Sequence, residues 1–108
     1  MIILLVVSSY RITDFKIWNT GSYIKLEIVL KKGDLLYVRE YNDEKERKYS
    51  FHWQDKQDSL IVRWDNAPHH KHLGTFPHHK HTAYGIEESN EISLEDILRY
   101  IEKFSTDC

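Results

Sequence analysis

Residues 22–30 read Ser-Tyr-Ile-Lys-Leu-Glu-Ile-Val-Leu, and the alternation in this stretch decides the fold class. Apolar side chains share one face of an extended chain, with charged ones opposite: Ile24, Leu26, Ile28 and Leu30 against Lys25 and Glu27. This period of two is typical of a half-buried strand. The stretch therefore predicts a β-strand.

The same pattern continues on both sides of a predicted turn at Lys32-Gly33-Asp34. Three further strands are predicted at 35–41, 49–54 and 60–65, separated by polar turns at 42–46 and 55–59. Short links favour antiparallel neighbours in a meander. The less regular run Arg11–Trp18 predicts an edge strand. We expect an antiparallel meander of about four to six strands.

A C-terminal helix has the best-defined signals. Ser93 is a good N-cap, and Asp96 three residues later completes a pattern close to a capping box. An apolar stripe with helical spacing follows: Leu94, Ile97, Leu98, Ile101 and Phe104. The helix should pack on one face of the sheet, which gives an α+β fold.

Length and composition indicate one soluble domain spanning 1–108. The chain has 108 residues, 41% of them hydrophobic and 30% charged, the balance of a globular protein. The lone cysteine, Cys108, allows no intramolecular disulfide and no thiolate zinc cluster, which fits a reducing cytoplasm. The apolar lead at 2–7 is too short to cross a membrane and predicts a buried strand rather than a signal peptide.

Pro-His-His-Lys-His occurs twice, at 68–72 and 77–81, and supplies six of the seven histidines. Histidine exchanges protons near neutral pH and is a common metal ligand. We expect 66–82, here called the histidine loop, to carry the function. Net charge is −2, but between 61 and 84 Asp65 is the only acid, facing Arg63, Lys71 and Lys80. The loop is therefore locally positive and suited to a polyanion.

Asp65 is also the only acid between Asp58 and Glu87. It can orient a histidine and stabilise its protonated form, or it can cap a turn together with Asn66. Both roles are open.

Three explanations compete for the histidines. The first is metal-independent cleavage of RNA, with His78 as one proton-transfer partner and His79 or His81 as the other. Asp65 would orient one of them, and Arg63 or Lys80 would meet the phosphate. An aromatic side chain would stack a base, with these candidates: Trp53, Trp64, Phe76 and Tyr84.

The second explanation is a Zn²⁺, Cu²⁺ or Ni²⁺ site. The pairs His70-x-His72 and His79-x-His81 would each place two imidazoles on one face of an extended segment. Asp65 is the only nearby carboxylate to support such ligands. The third explanation is a solvated loop whose imidazoles bond backbone carbonyls, or a binding module without catalysis.

Three segments together resemble the TumE family of prokaryotic toxins, namely 47–55 (RKYSFHWQD), 63–70 (RWDNAPHH) and 75–81 (TFPHHKH). The resemblance extends over nearly the whole chain. It implies a toxin in the cytoplasm with an antitoxin partner and an intracellular target. The motif residues it implies are Tyr49, His52, Trp53, Arg63, Asp65, Asn66, His69, His70, His78, His79 and His81, whereas His72 falls outside the motif.

The resulting hypothesis is a toxin that acts on RNA without a cofactor, with zinc as the alternative. The candidate catalytic residues are Asp65, His69, His70, His78, His79 and His81. The candidate substrate-binding residues are His52, Arg63, Trp64, Asn66 and Lys80. If a metal binds, its ligands are expected to be His70, His79 and His81. The oligomeric state stays open, and a dimer is allowed.

Overall fold

The computed structural model describes residues 5–106, with side chains described through Phe104. Within this part of the chain, one seven-stranded antiparallel sheet has its strands in sequence order, followed by a C-terminal helix. The elements are β1 (Val7–Trp18), β2 (Gly21–Leu30), β3 (Leu35–Asn42), β4 (Arg47–Gln54), β5 (Leu60–Asp65), β6 (His79–Thr82), β7 (Gly85–Glu88) and α1 (Leu94–Thr106). The predicted α+β class and antiparallel meander are confirmed. The predicted four to six strands were too few.

The two additional strands, β6 and β7, follow the histidine loop. The loop prediction for 66–82 is wrong over its last four residues, because His79–Thr82 forms β6. This segment has no apolar alternation to identify it as a strand. It joins the sheet through backbone pairing with β5, in which Asp65 is opposite His79 and Arg63 is opposite His81.

The N-terminal prediction also needs correction. Residues 2–4 of the predicted strand at 2–7 lie outside the described residues. Leu5 and Val6 are helical, and the strand begins only at Val7. The predicted edge strand is confirmed as β1, which is longer than expected and lies at one edge of the sheet.

The hydrophobic core lies between α1 and one face of the sheet. Its strand residues alternate as predicted: Ile28, Leu30, Leu36, Val38, Tyr49, Phe51, Trp53, Val62 and Trp64. From the helix, Ile97, Leu98 and Ile101 are buried in the same cluster. The rings of Trp53 and Phe104 meet edge to face, with centroids 5.4 Å apart. The predicted packing of the helix on one sheet face is therefore confirmed.

The capping box at the start of α1 is confirmed. The Ser93 backbone N–H donates to Asp96 Oδ2 over 3.0 Å, and the Asp96 N–H donates to Ser93 Oγ over 3.2 Å. These two bonds satisfy backbone donors that the first turn of a helix leaves unpaired.

The other sheet face is polar, and it positions the site. Because side chains alternate across a strand, residues in register share a face with their cross-strand partners. One row of partners runs from Ser50 to Asp65 to His79, and the neighbouring row runs from His52 to Arg63 to His81. Among the described residues, no helix is long and apolar enough to cross a membrane.

Candidate functional site

Asp65, the last residue of β5, is the centre of a hydrogen-bonded cluster. Its side chain is only 9% exposed. Oδ1 accepts a hydrogen bond from the Ala67 backbone N–H over 3.0 Å and lies 2.9 Å from His79 Nε2. Oδ2 lies 3.3 Å from Arg63 Nε and 3.4 Å from His81 Nε2. One carboxylate therefore caps the turn and orients histidines, which combines the two predicted roles.

Three imidazoles gather beside this carboxylate, and we call His70, His79 and His81 the histidine cluster. The ring centroids of His70 and His79 are 4.8 Å apart, and those of His79 and His81 are 4.9 Å apart. His70 comes from the first Pro-His-His-Lys-His copy and the other two come from the second. The two copies therefore contribute to one site.

Local structure explains this convergence. His79 and His81 alternate with Lys80 on β6, so both histidines lie on the polar sheet face. The Asn66 side chain anchors the start of the loop, since its Oδ1 accepts from the Tyr49 N–H over 3.0 Å and its Nδ2 donates to the Arg47 carbonyl over 2.6 Å. Asn66 thus extends the pairing of β5 with β4 by one residue.

Burial and neighbouring charges tune the imidazoles on this face. Burial lowers the pKa of His81, the Asp65 carboxylate opposes this effect, and His79, Arg63 and His70 add to it. Burial also lowers the pKa of His52, with a further contribution from Arg63. Both rings are therefore held toward the neutral form, in which a ring nitrogen can accept a proton or bind a metal.

The cluster opens into a groove of about 1180 Å³ on the polar face of the sheet. Among the described residues that line it, four are basic and two are acidic: Arg39, Arg47, Lys48 and Arg63 against Glu46 and Asp65. Aromatic side chains from four segments also line it: Tyr23, Tyr41, Tyr49 and Phe76. The groove therefore combines basic side chains, ring surfaces and imidazoles. Three of its four basic residues are ion-paired: Arg47 with Glu40 and Glu91, Lys48 with Glu46, and Arg63 with Asp65.

Three predicted site residues lie elsewhere. Trp64 is 3% exposed in the core on the helix side, where it meets Tyr100 edge-on. Lys80 is on the other face of β6 from His79, with Nζ 4.0 Å from the Glu87 carboxylate. His78 stacks on Tyr49, and its Nδ1 is 2.8 Å from the Tyr49 hydroxyl. Trp64, Lys80 and His78 are therefore not among the described residues that line the groove, and their predicted roles stay predictions.

The remaining predicted residues lie near the cluster in different ways. His69 is exposed on the groove wall. His52 contacts Arg63, with Nδ1 3.4 Å from the guanidinium, and lines an adjoining depression. His72 is exposed, with its ring 6.1 Å from that of His70.

Sequence reasoning missed the far wall of the groove. Tyr23, Arg39, Tyr41, Lys48 and Ser50 come from β2, β3 and β4. The available signal was alternation, because each of these residues occupies the face opposite the buried positions. The pattern did not reveal that this face continues to the histidine loop, since that depends on β6 joining the sheet.

Together, the sheet, the helix and the groove define a small α+β protein whose site suits anion binding and proton transfer. A family model described as Toxin TumE matches residues 3–105. The chain therefore belongs to the TumE family of toxins, as its sequence resemblance predicted. No curated protein and no solved structure matches it.

Proposed function

We propose that this toxin acts on RNA, which it cleaves in the groove by histidine acid–base chemistry without a metal. The observation that carries the proposal is the juxtaposition of His70 and His81 with Arg63 at the end of a groove lined by more basic than acidic residues. Membership of a toxin family supplies the biological setting.

The basic residues of the groove favour the phosphate backbone of a nucleic acid as its ligand. The chain has net charge −2, yet basic residues outnumber acidic ones along the groove. Within the described part of the chain, Arg39 forms no ion pair, so its charge is not neutralised by a carboxylate. Concentrated positive charge in a cleft raises the local concentration of a polyanion.

The aromatic rings of the groove favour single-stranded rather than double-stranded nucleic acid. Phe76 is 38% exposed, and Tyr41 lies beside Trp18 with centroids 5.7 Å apart. Aromatic side chains in a basic groove provide stacking platforms for successive bases, and stacking is sequence-tolerant. Single-stranded RNA therefore fits the groove better than a duplex, whose bases are already stacked.

The two accessible imidazoles take the proton-transfer roles. His70 and His81 are both half-buried, and their ring centroids are 5.9 Å apart, so both can approach oxygen atoms of one phosphate group. His79 is 2% exposed and held on both sides, so it acts as a positioning residue. Arg63 supplies positive charge beside the same position.

The cleavage step balances without another reactant. One imidazole removes the proton from the ribose 2′-hydroxyl, and O2′ forms a bond to phosphorus. The bond between phosphorus and O5′ breaks as the second imidazolium gives its proton to O5′. The products are a 2′,3′-cyclic phosphate and a 5′-hydroxyl end, while Arg63 stabilises the extra negative charge on the phosphorane.

The proposal includes a partner and a compartment. A toxin in its own cell needs a neutralising antitoxin protein, and an RNA target places the activity in the cytoplasm. Expression of the toxin alone should stop growth, and co-expression with its antitoxin should restore growth.

The decisive test is cleavage by pure protein carrying no affinity tag, in excess chelator, with a single-stranded RNA. We expect cleavage at pH 6 to 7 with 2′,3′-cyclic phosphate ends, and no cleavage of the same sequence as DNA. His81→Ala should lower the rate by about 10²- to 10⁴-fold, because it removes one proton-transfer partner. A wild-type protein that arrests growth but leaves RNA intact under these conditions would overturn the proposal.

A further inference from the structure

His79 holds its two ring nitrogens against oxygen atoms. Nδ1 is 3.0 Å from the Pro77 carbonyl oxygen, and Nε2 is 2.9 Å from Asp65 Oδ1. A carbonyl oxygen only accepts, so Nδ1 must carry a proton. In a neutral ring, Nε2 then directs its lone pair toward a carboxylate. Such an arrangement is stable only with a positive charge between them, either a second proton or a metal ion.

The other imidazoles stand where they can share such an ion. One ligand nitrogen from each of His70, His79 and His81 lies within 4.8 Å of the others. Zinc bonds nitrogen at about 2.0–2.1 Å, which makes the spacing of tetrahedral ligands about 3.4 Å. The three nitrogens therefore need to close by about 1.4 Å at most. His70 is on the loop and half-buried, so its ring is the one that can move.

We propose that the histidine cluster binds one divalent transition-metal ion of the zinc type, with Asp65 next to it. The carboxylate oxygens lie 2.9 Å from His79 Nε2 and 3.4 Å from His81 Nε2, which brackets that tetrahedral spacing. The bond from His79 Nδ1 to Pro77 is the usual outer contact that fixes a metal-binding tautomer. Imidazole nitrogens select Zn²⁺, Ni²⁺ and Cu²⁺ over Mg²⁺ or Ca²⁺.

The metal site stands independently of RNA cleavage, because it depends only on the ligand geometry. It also has a consequence for the proposed function. A nitrogen lone pair that coordinates a metal cannot take up a proton, so the metal-bound toxin would be inactive in acid–base cleavage. The ion would thus act as an inhibitor of the same groove.

The positive charge of Arg63 opposes binding of the ion. Its Nε is 3.3 Å from Asp65 Oδ2, so its positive charge lies near the proposed metal position. Replacing it by a neutral side chain removes this repulsion and frees the carboxylate. Arg63→Gln should therefore bind the metal several-fold more tightly than the wild type, although it loses a polar contact.

The test is calorimetric titration of Zn²⁺ into the full chain, carrying no affinity tag and freed of metal by chelator. We expect one equivalent to bind, and Co²⁺ to give the strong visible absorption of a tetrahedral site. Asp65→Asn should weaken binding by about 10- to 100-fold, as for other groups that support metal ligands. His70→Ala should weaken it at least as much, and the matched exposed variant His72→Ala should bind like the wild type.

Three results would overturn the metal site: no saturable Zn²⁺ binding, equal binding by His70→Ala and wild type, or equal affinity for Mg²⁺. His70 is chosen over His79 because its half-buried side chain can be removed without opening the core. These binding measurements involve no RNA, so the metal site and the cleavage proposal can each fail without the other.

Discussion

Replacing Asp65 by asparagine should lower the free energy of unfolding. The contacts of the carboxylate determine how large this decrease is. Asparagine keeps the shape and one acceptor oxygen, which can still bond the Ala67 N–H. It loses the negative charge that faces His79, His81 and Arg63. Hydrogen bonds to charged groups contribute about 1.5–3 kcal/mol each. Part of this is recovered because the new amide nitrogen, which takes the place of Oδ2, can donate to a neutral His81 Nε2. We expect the free energy of unfolding to fall by about 2–4 kcal/mol.

The assay is urea unfolding at pH 7.5 in chelator, followed by tryptophan fluorescence. Arg63→Gln is the matched control, since it also removes a charged contact of Asp65. The side chain of Arg63 is 40% exposed, so this contact is only partly shielded from water. That control should cost less than about 1 kcal/mol, the usual value for an exposed ion pair. If Asp65→Asn costs no more than the control, the carboxylate does not hold the histidine cluster together.

Three further predictions test other parts of the account. Asn66→Ala leaves the Tyr49 N–H and the Arg47 carbonyl without their side-chain partner, so the free energy of unfolding measured in urea should fall by about 2–4 kcal/mol. A fall of less than about 0.5 kcal/mol would contradict the anchoring role of Asn66. Because the pKa of His52 is lowered in the folded chain, the unfolded chain takes up its proton first as pH falls below 6.5, and stability should drop there. His52→Gln should reduce the drop between pH 7.5 and 5.5, and an unchanged drop would exclude His52 as its cause. In the cleavage assay, one equivalent of Zn²⁺ should inhibit and chelator should restore activity; stimulation by Zn²⁺ would contradict metal-free catalysis.

The sequence predicted the strands and the helix in which apolar and polar residues alternate with a regular period. Strands β2 to β5 alternate apolar and polar residues, and α1 has both an apolar stripe and a capping box, so pattern alone located them. The pattern was uninformative for β6, because the segment His79–Thr82 contains no apolar residue. Its strand conformation comes from backbone pairing with β5, and the side-chain pattern within the segment does not reveal this pairing.

The same limit explains which site residues were predicted well. Asp65 was identified as the centre because it is the lone acid near the repeats, a property that sequence carries directly. The choice among histidines depends on the alternation of β6, which directs His79 and His81 to the groove and Lys80 away from it. Trp64 was misplaced for a related reason, since the aromatic side chain that looked suitable for stacking was needed to fill the core.

The most direct test of the central claim compares two histidines of the same repeat copy. The ring of His70 meets those of His79 and His81 in the cluster, with centroids 4.8 and 5.9 Å away. His72 is exposed, its ring is 6.1 Å from that of His70, and among the described residues no hydrogen bond or ring contact joins it to Asp65 or to the second copy. RNA cleavage in chelator should fall by about 10²-fold or more in His70→Ala and stay within about twofold of wild type in His72→Ala. Equal activity of the two variants, or loss only in His72→Ala, would contradict the claim that both copies build one catalytic site.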